Sequence, residues 1–523
     1  MAGRAQPLGA AVWLGCGAAS VLLALSLGTL GAVLTRAGGW GGIAAADWAA
    51  IRFTVSQALV SAALSTILAV PVARALARRN FRGRGLLVSL LGAPFILPVM
   101  VAVMGLLAVF GRSGLINSAL SALGLPTISI YGYHGVVLAH VFLNLPLAIR
   151  LILQGWLDIP AERFRLAAVL GLDAGAVHRL LERPMLRAVL PGTFLAIFLI
   201  CLTSFAVALT LGGGPRATTV ELAIYQAFRF EFDLGHAAVL ALVQFTLCLL
   251  AAMAALIVSM PTGFGAGLDR RVERWDAGHL SLRLQDAIIL GAIALFLLLP
   301  LGLVLGSGIP HLGALPAPVW SAALRSLVVA LAATALTLVL ALPLALAAIR
   351  LGGTRGAMLE TIGMLSLAAS PLVIGTGLFI LIRIMANPTA LALPVTIAVN
   401  AAMALPFALR AILPAVRTVE ADYGRLADSL GIVGRGRLRL LILPRLRRPL
   451  GFAAGLAAAL SMGDLGVIAL FAEPGQATLP LQLYRLMASY RMDDAAAAAL
   501  LLSLLGFGLF RFFDRMGRND ADA

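Results

Sequence analysis

About twelve runs of some twenty apolar residues, separated by short Arg-bearing loops, leave this chain few folds to adopt. The runs lie near 9–35, 53–73, 86–110, 132–153, 188–211, 236–259, 285–307, 321–348, 357–382, 390–413, 451–471 and 495–512. Roughly 20 apolar residues suffice for a helix to cross a bilayer. The chain is 61% hydrophobic and 12% charged, with a mean hydropathy of +1.01. No soluble domain hides that much apolar surface, so the expected class is an all-α polytopic membrane protein. Frequent Gly and Pro are compatible with membrane helices.

The formal charge of +16 does not point to nucleic acid, because the basic residues are spread over the short loops between spans. Arg74, Arg78, Arg79, Arg82 and Arg84 follow span 2, and Arg150, Arg163, Arg165, Arg179, Arg183 and Arg187 lie after span 4. Arg270, Arg271, Arg274 and Arg283 follow span 6, and nine Arg lie between Arg410 and Arg448. These loops alternate with Arg-poor ones, so the positive-inside rule puts them and both termini in the cytoplasm. Residues 8–35, with only Arg4 before them, read as an uncleaved first span. All 39 basic residues are Arg. A P-loop needs a Lys on its nucleotide, so the chain is not itself a P-loop ATPase. Cys16, Cys201 and Cys248 fall inside apolar runs and read as small core residues.

One stretch occurs twice. Residues 145–184 run from Leu-Pro-Leu-Ala-Ile-Arg through Arg165-Leu166-Ala167-Ala168-Val169-Leu170-Gly171 to Pro184. Residues 405–444 run from Leu-Pro-Phe-Ala-Leu-Arg through Arg425-Leu426-Ala427-Asp428-Ser429-Leu430-Gly431 to Pro444, 260 residues on. Pro71 and Arg78 match Pro343 and Arg350 at an offset of 272, and Tyr225 matches Tyr484 at 259. The first half is therefore about twelve residues longer, with the outer loop 111–131 the expected insertion. The halves, 1–275 and 276–523, form two parallel six-helix repeats joined near 260–284. Read as a helix, 421–431 puts Tyr423, Leu426, Ala427 and Leu430 on one face, matched by Leu166, Ala167 and Leu170. Such a helix, ended by Gly and followed by Pro marking the turn back to the membrane, suits a groove on a soluble partner. An interfacial helix lying on lipid is the competing reading.

The Gly-to-Pro spacing resembles the EAA loop of ABC-importer permeases. Arg165 and Arg425 stand where that pattern has Glu, and Leu166 and Leu426 where it has its first Ala; Ala167 and Ala427 keep the second. Longer stretches are similar to the thiamine-importer permeases: His140-Val-Phe-Leu-Asn-Leu-Pro146, Thr210-Leu-Gly-Gly-Gly-Pro215, Thr219-Val-Glu-Leu-Ala-Ile-Tyr-Gln226, Ser461-Met-Gly-Asp-Leu-Gly466 and Thr478-Leu-Pro-Leu-Gln-Leu-Tyr484. The resemblance implies a type I ABC-importer permease fold, not an enzyme, in the bacterial inner membrane. It implies coupling loops at 154–187 and 414–449, two copies of an ATPase subunit carrying ATP and Mg, and a periplasmic thiamine-binding protein. The cargo it implies is thiamine or its mono- or diphosphate. The chain itself is expected to need no cofactor and no metal.

Asp464 is a carboxylate in or at the edge of span 11, costly unless it faces water or a partner. Thiamine carries a permanent cation that such an acid would offset. The alternative is a hydrogen bond between helices or an interfacial position. Ser204 is its counterpart at offset 260. Glu221 and Tyr225 are candidates for contact with the binding protein, for an outer gate or for a solvated loop, with Tyr484 matching Tyr225. Asn144 and Asn400, inside spans 4 and 10, are candidates for helix-to-helix hydrogen bonds, and Asn144 is also a candidate for the substrate path. Gly212-Gly213-Gly214-Pro215 reads as a hinge or turn. Competing functions are an ABC permease for ferric iron, sulfate or a polyamine, and a 6+6 secondary transporter. The matched cytoplasmic loops have no role in the latter.

Overall fold

The computed structural model describes residues 9–37, 42–92, 97–212, 214, 217–258 and 280–518. Gly213, Pro215, Arg270, Arg271, Arg274 and most of the joint near 260–284 lie outside them. The described residues are helical, without strands. The first half comprises α1 (Ala10–Arg36), α2 (Ala45–Arg78), α3 (Arg84–Leu90), α4 (Val99–Phe110), α5 (Leu115–Ala122), α6 (Tyr133–Leu157), α7 (Ala161–Val169), α8 (Ala174–Val177), α9 (Arg183–Leu202), α10 (Ala206–Leu211), α11 (Val220–Arg229) and α12 (Leu234–Ile257). The second comprises α13 (Leu280–Gly308), α14 (Ala317–Leu351), α15 (Gly353–Met364), α16 (Pro371–Arg383), α17 (Ala392–Ser429), α18 (Gly434–Gly436), α19 (Leu443–Met462), α20 (Gly466–Phe471), α21 (Leu479–Ala488) and α22 (Met492–Arg518).

Among the described residues, 11 helical stretches are long and apolar enough to cross a membrane. This is a multi-pass membrane protein. The expected ninth span, 357–382, is not one helix. Ser370 caps the break by accepting from the Val373 N–H at 3.2 Å, and Pro371 starts α16 afresh. Pro has no N–H to continue the upstream ladder, so the apolar run splits. The expected spans 188–211 and 451–471 also split, at Thr203–Phe205 and Gly463–Leu465, 260 residues apart. The excess length of the first half lies between Phe110 and Tyr133 and contains α5. The corresponding gap, Arg383 to Ala392, is short.

The first helix of each half packs on the other half. α1 lies against α14 and α16, and α13 against α4, α2 and α22. Glycines make these crossings close. A Cβ on Gly105 of α4 would sit 2.9 Å from the Pro300 carbonyl oxygen of α13, and one on Gly377 of α16 would sit 2.5 Å from the Thr29 carbonyl oxygen of α1. The pairs correspond at offsets of 272 and 271.

Charge fixes α13 to α2. Asp286 is buried, and Arg78 grips it with a two-point fork, Nε to Oδ2 at 3.1 Å and Nη2 to Oδ1 at 2.5 Å. Arg79 Nε donates to the same carboxylate at 2.5 Å. Such charge-assisted forks are stronger than neutral hydrogen bonds and fix geometry.

Short helices also sit at equivalent places. The Val220 N–H, opening α11, donates to Thr54 Oγ1 at 2.9 Å. The Leu479 N–H, opening α21, donates to Ser326 Oγ at 2.7 Å. A helix's first N–H groups lack intrahelical acceptors; here a hydroxyl of a long neighbouring helix supplies one in each half.

Candidate coupling surface and translocation path

The two duplicated segments fold alike. Burial follows the same pattern over 161–170 and 421–430, with Phe164 and Ala167, or Gly424 and Ala427, turned inward. Leu166 and Leu170 are 59% and 63% exposed, and Leu426 and Leu430 are 56% and 65% exposed. The leucines thus form a free apolar ridge, flanked by exposed Arg165 and Arg425. Ala167 and Ala427 do not share that ridge, contrary to the reading above. Ala167 packs with Phe164 and Val177, where a small residue lets the following segment pass close. Val169, 84% exposed, belongs to the ridge and was not singled out.

Each ridge ends in the same cap. Gly171 has φ +63° and Gly431 φ +66°. Leu172 N–H donates to Ala167 O at 3.0 Å and Gly171 N–H to Ala168 O at 3.1 Å; Ile432 to Ala427 and Gly431 to Asp428 repeat this at 2.9 and 3.2 Å. These paired bonds are the Schellman motif, which requires a left-handed residue after the helix. No neighbour approaches a Cβ at either glycine within 4 Å, so the requirement is conformational.

Two expectations here are corrected. Residues 421–429 are not a separate helix but the end of α17. In the first half Pro160, where the second has Glu420, separates α6 from α7. Nor do Pro184 and Pro444 mark the turn back. The chain reverses at the glycines, and each proline lies within a helix that follows a π-helical turn, His178–Glu182 or Arg437–Ile442. A wider turn upstream accommodates a residue that has no N–H and crowds the carbonyl four residues before it.

The loops are braced differently. Glu182, fully buried, is held by Arg74 Nη2 and His178 Nδ1, both at 3.0 Å. In the second loop Arg437 bridges Asp428 at 2.5 Å and also Glu420. Arg445 lies over the Tyr423 ring at 3.9 Å. None of Glu182, Arg437 or Glu420 was singled out from sequence. Each is one of many charges in a basic loop, and its partners are set by tertiary folding.

The two split helices frame a cavity of about 350 Å³. Ser204 and Asp464 sit in the two breaks and both line it. So do His140 and Asn400, again 260 apart, and the aromatic rings of Phe205 and Phe407. The cavity therefore lies between the halves and takes matched positions from each. Its polarity is unequal: Asp464 in one half corresponds to Ser204 in the other, and His140 to Asn400. Asp464 Oδ1 accepts from the Gly466 N–H at 3.2 Å, while Oδ2 is buried without a hydrogen bond. Asn400 Nδ2 donates to Ser461 Oγ at 2.9 Å, joining α17 to α19. Asn144 Nδ2 donates to His140 O at 2.9 Å and points at Cys201 Sγ at 3.4 Å.

Glu221 is not in a solvated loop. It is fully buried in the first turn of α11, beside Gln244 and Ser370. The apolar face of α11 carries it inward, a placement hidden in a stretch that reads as a polar turn. Tyr225 and Tyr484 are half-buried. The Tyr225 ring packs edge-on against Phe205 at 5.3 Å and Phe230 at 5.8 Å, linking the cavity wall to exposed Phe230.

No protein-family model matches the chain. It is 41% identical over 520 residues to the "Thiamine transport system permease protein ThiP" of Brucella abortus (strain 2308), covering 97% of this chain and 95% of the relative. To the protein of the same name from Salmonella typhimurium it is 41% identical over 531 residues, covering 99% and 98%. To that from Escherichia coli (strain K12) it is 42% identical over 484 residues, covering 90% of each. Identity at this level along nearly the whole length places the chain in the family of thiamine transport system permease proteins.

Proposed function

We propose that the chain is the fused permease of an ATP-driven thiamine importer. Residues 1–275 and 276–523 act as two repeats around the central cavity. Both termini and the loops 154–187 and 414–449 face the cytoplasm. Each loop docks one copy of a separate ATPase subunit, which holds ATP and Mg, and a periplasmic thiamine-binding protein delivers the cargo. The observation that carries this reading is the cavity between the halves, with one carboxylate offered from a helix break. Discontinuous membrane helices expose backbone and side chains to a solute at mid-membrane. Asp464 would offset the desolvation of the thiazolium cation, with Phe205 and Phe407 beside a flat aromatic cargo. Ser204, Asn144 and Asn400 would line the same path, and Tyr225, Tyr484 and Glu221 would form its outer gate. The leucine ridges of α7 and α17 would carry ATPase closure into the spans.

A strain lacking its own thiamine importer and unable to make thiamine tests this. Given the chain, its candidate ATPase and its binding protein, it is expected to grow on limiting thiamine. Rescue of growth on limiting ferric iron or polyamine, and not on thiamine, would replace the cargo.

The ridges make a second prediction. Gly171→Val and Gly431→Val each force a branched side chain into the left-handed region, at about 1–2 kcal/mol per site. The double variant is expected to insert normally yet lose most ATP-dependent uptake in proteoliposomes. Uptake at the wild-type rate would mean that the caps do not position the coupling ridges.

A further inference from the structure

A second cavity, about 640 Å³, lies between α2, α6 and α13. Its walls are almost wholly apolar, among them Leu64, Leu68 and Val72 on α2, Val141 on α6, and Ile293 and Phe296 on α13. All three helices are long and apolar enough to cross the membrane, and Leu64 and Leu68 are 40% and 46% exposed on its rim. The medium at this slot is therefore lipid hydrocarbon.

The matching joint in the other half is closed. There α1 meets α14 at Gly15, where a Cβ would lie 2.3 Å from the Ala347 Cβ and 2.6 Å from the Pro343 oxygen. At the offset of 271 that relates Thr29 to Pro300, Gly15 corresponds to Asp286. A carboxylate reached by two long arginines stands where a bare glycine lies against the neighbouring backbone. The slot lies in the half that carries the carboxylate.

Asp286, Ile289, Ile293 and Phe296 fall on one stripe of α13, so the charged cluster forms the foot of the slot. Beside it, Arg82 and Arg283 are exposed at the same end. Arg78 and Arg79 pair with Asp286, and Arg82 and Arg283, four residues after Arg78 and three before Asp286, add exposed positive charge close to them in the chain. An apolar slot with a cationic foot is complementary to a lipid with an apolar tail and an anionic head.

We propose that this slot is a binding site for an anionic phospholipid, with an acyl chain between α2, α6 and α13 and the phosphate at Arg82 and Arg283. The proposal rests on the functional reading only in placing that end on the cytoplasmic side, so that the lipid comes from the inner leaflet. Juxtamembrane arginines attract anionic headgroups, each favouring binding by about fivefold. The lipid would fill the gap at the exchanged helix and tie α13 to the first half.

The test uses the purified chain without its partners, so it does not depend on transport. Native mass spectrometry in detergent, with added phosphatidylglycerol or phosphatidylcholine, reads retention of each lipid. Wild type is expected to keep one phosphatidylglycerol, at least about tenfold more persistently than phosphatidylcholine. Ala292→Trp, filling the slot wall, should cut retention of both. Arg82→Gln with Arg283→Gln, changing only exposed side chains, should abolish the preference and leave phosphatidylcholine retention unchanged. Equal retention of the two lipids by wild type, unaltered preference in the double Gln variant, or a second copy of the chain in place of lipid would overturn the proposal.

Discussion

Asp286→Ala is expected to cost the folded chain about 3–5 kcal/mol, the range for removing one partner of a buried ion pair. Arg78 is only 7% exposed, and its fork closes on this carboxylate from a helix 208 residues away in sequence. Without Asp286, the guanidinium groups of Arg78 and Arg79 lose the acceptor they share, with little water to replace it. The joint between α13 and α2 then loosens, and with it the hold of the second half's first helix on the first half. The measurement is thermal unfolding of the solubilised protein followed by size-exclusion chromatography. A drop of many degrees, or loss of the monodisperse peak, is expected. Replacing the pair by apolar residues of similar size usually costs little. Asp286→Leu combined with Arg78→Leu and Arg79→Leu should therefore recover much of the loss. If Asp286→Ala unfolds at the wild-type temperature, the ion cluster does not hold the exchanged helix.

Asp464→Asn is expected to reduce thiamine uptake by about 30-fold without unfolding the chain. Two unit charges about 7 Å apart at an effective dielectric near 20 attract by roughly 2 kcal/mol, which is about that factor. Asn keeps the shape and an oxygen that can still accept from the Gly466 N–H, so the helix break should survive. The loss should be larger for thiamine than for a neutral analogue lacking the thiazolium charge, and Asp464→Glu should restore part of it. Ser204→Ala, across the cavity, removes no charge and should change uptake only severalfold. Equal losses for charged and neutral analogues would assign Asp464 a structural role.

What the sequence revealed and what it hid follow from the range of the interactions. The spans and the duplicated caps are local: apolar runs set the first, and a Gly that must adopt positive φ sets the second. Gly171 and Gly431 therefore stand out without a structure. The 260-residue offset also relates Ser204 to Asp464, and both line the same cavity. Hydropathy is blind to backbone hydrogen bonding, so the break at Ser370–Pro371 disappears inside one apolar run. For the same reason, the helix breaks that hold Ser204 and Asp464 are not visible in composition. Periodicity grouped Ala427 with the leucines beside it, but packing turns it inward. The exchange of α1 and α13, the Arg78–Asp286 fork and the Arg74–Glu182 pair join residues more than a hundred positions apart, and no local pattern encodes them.

Labelled thiamine uptake into proteoliposomes containing this chain, its candidate ATPase and its binding protein, with ATP as the only energy source, tests the central claim most directly. The account predicts uptake that requires all three proteins, persists with ionophores present and falls in Asp464→Asn. Uptake by the chain alone under an ion gradient would contradict it.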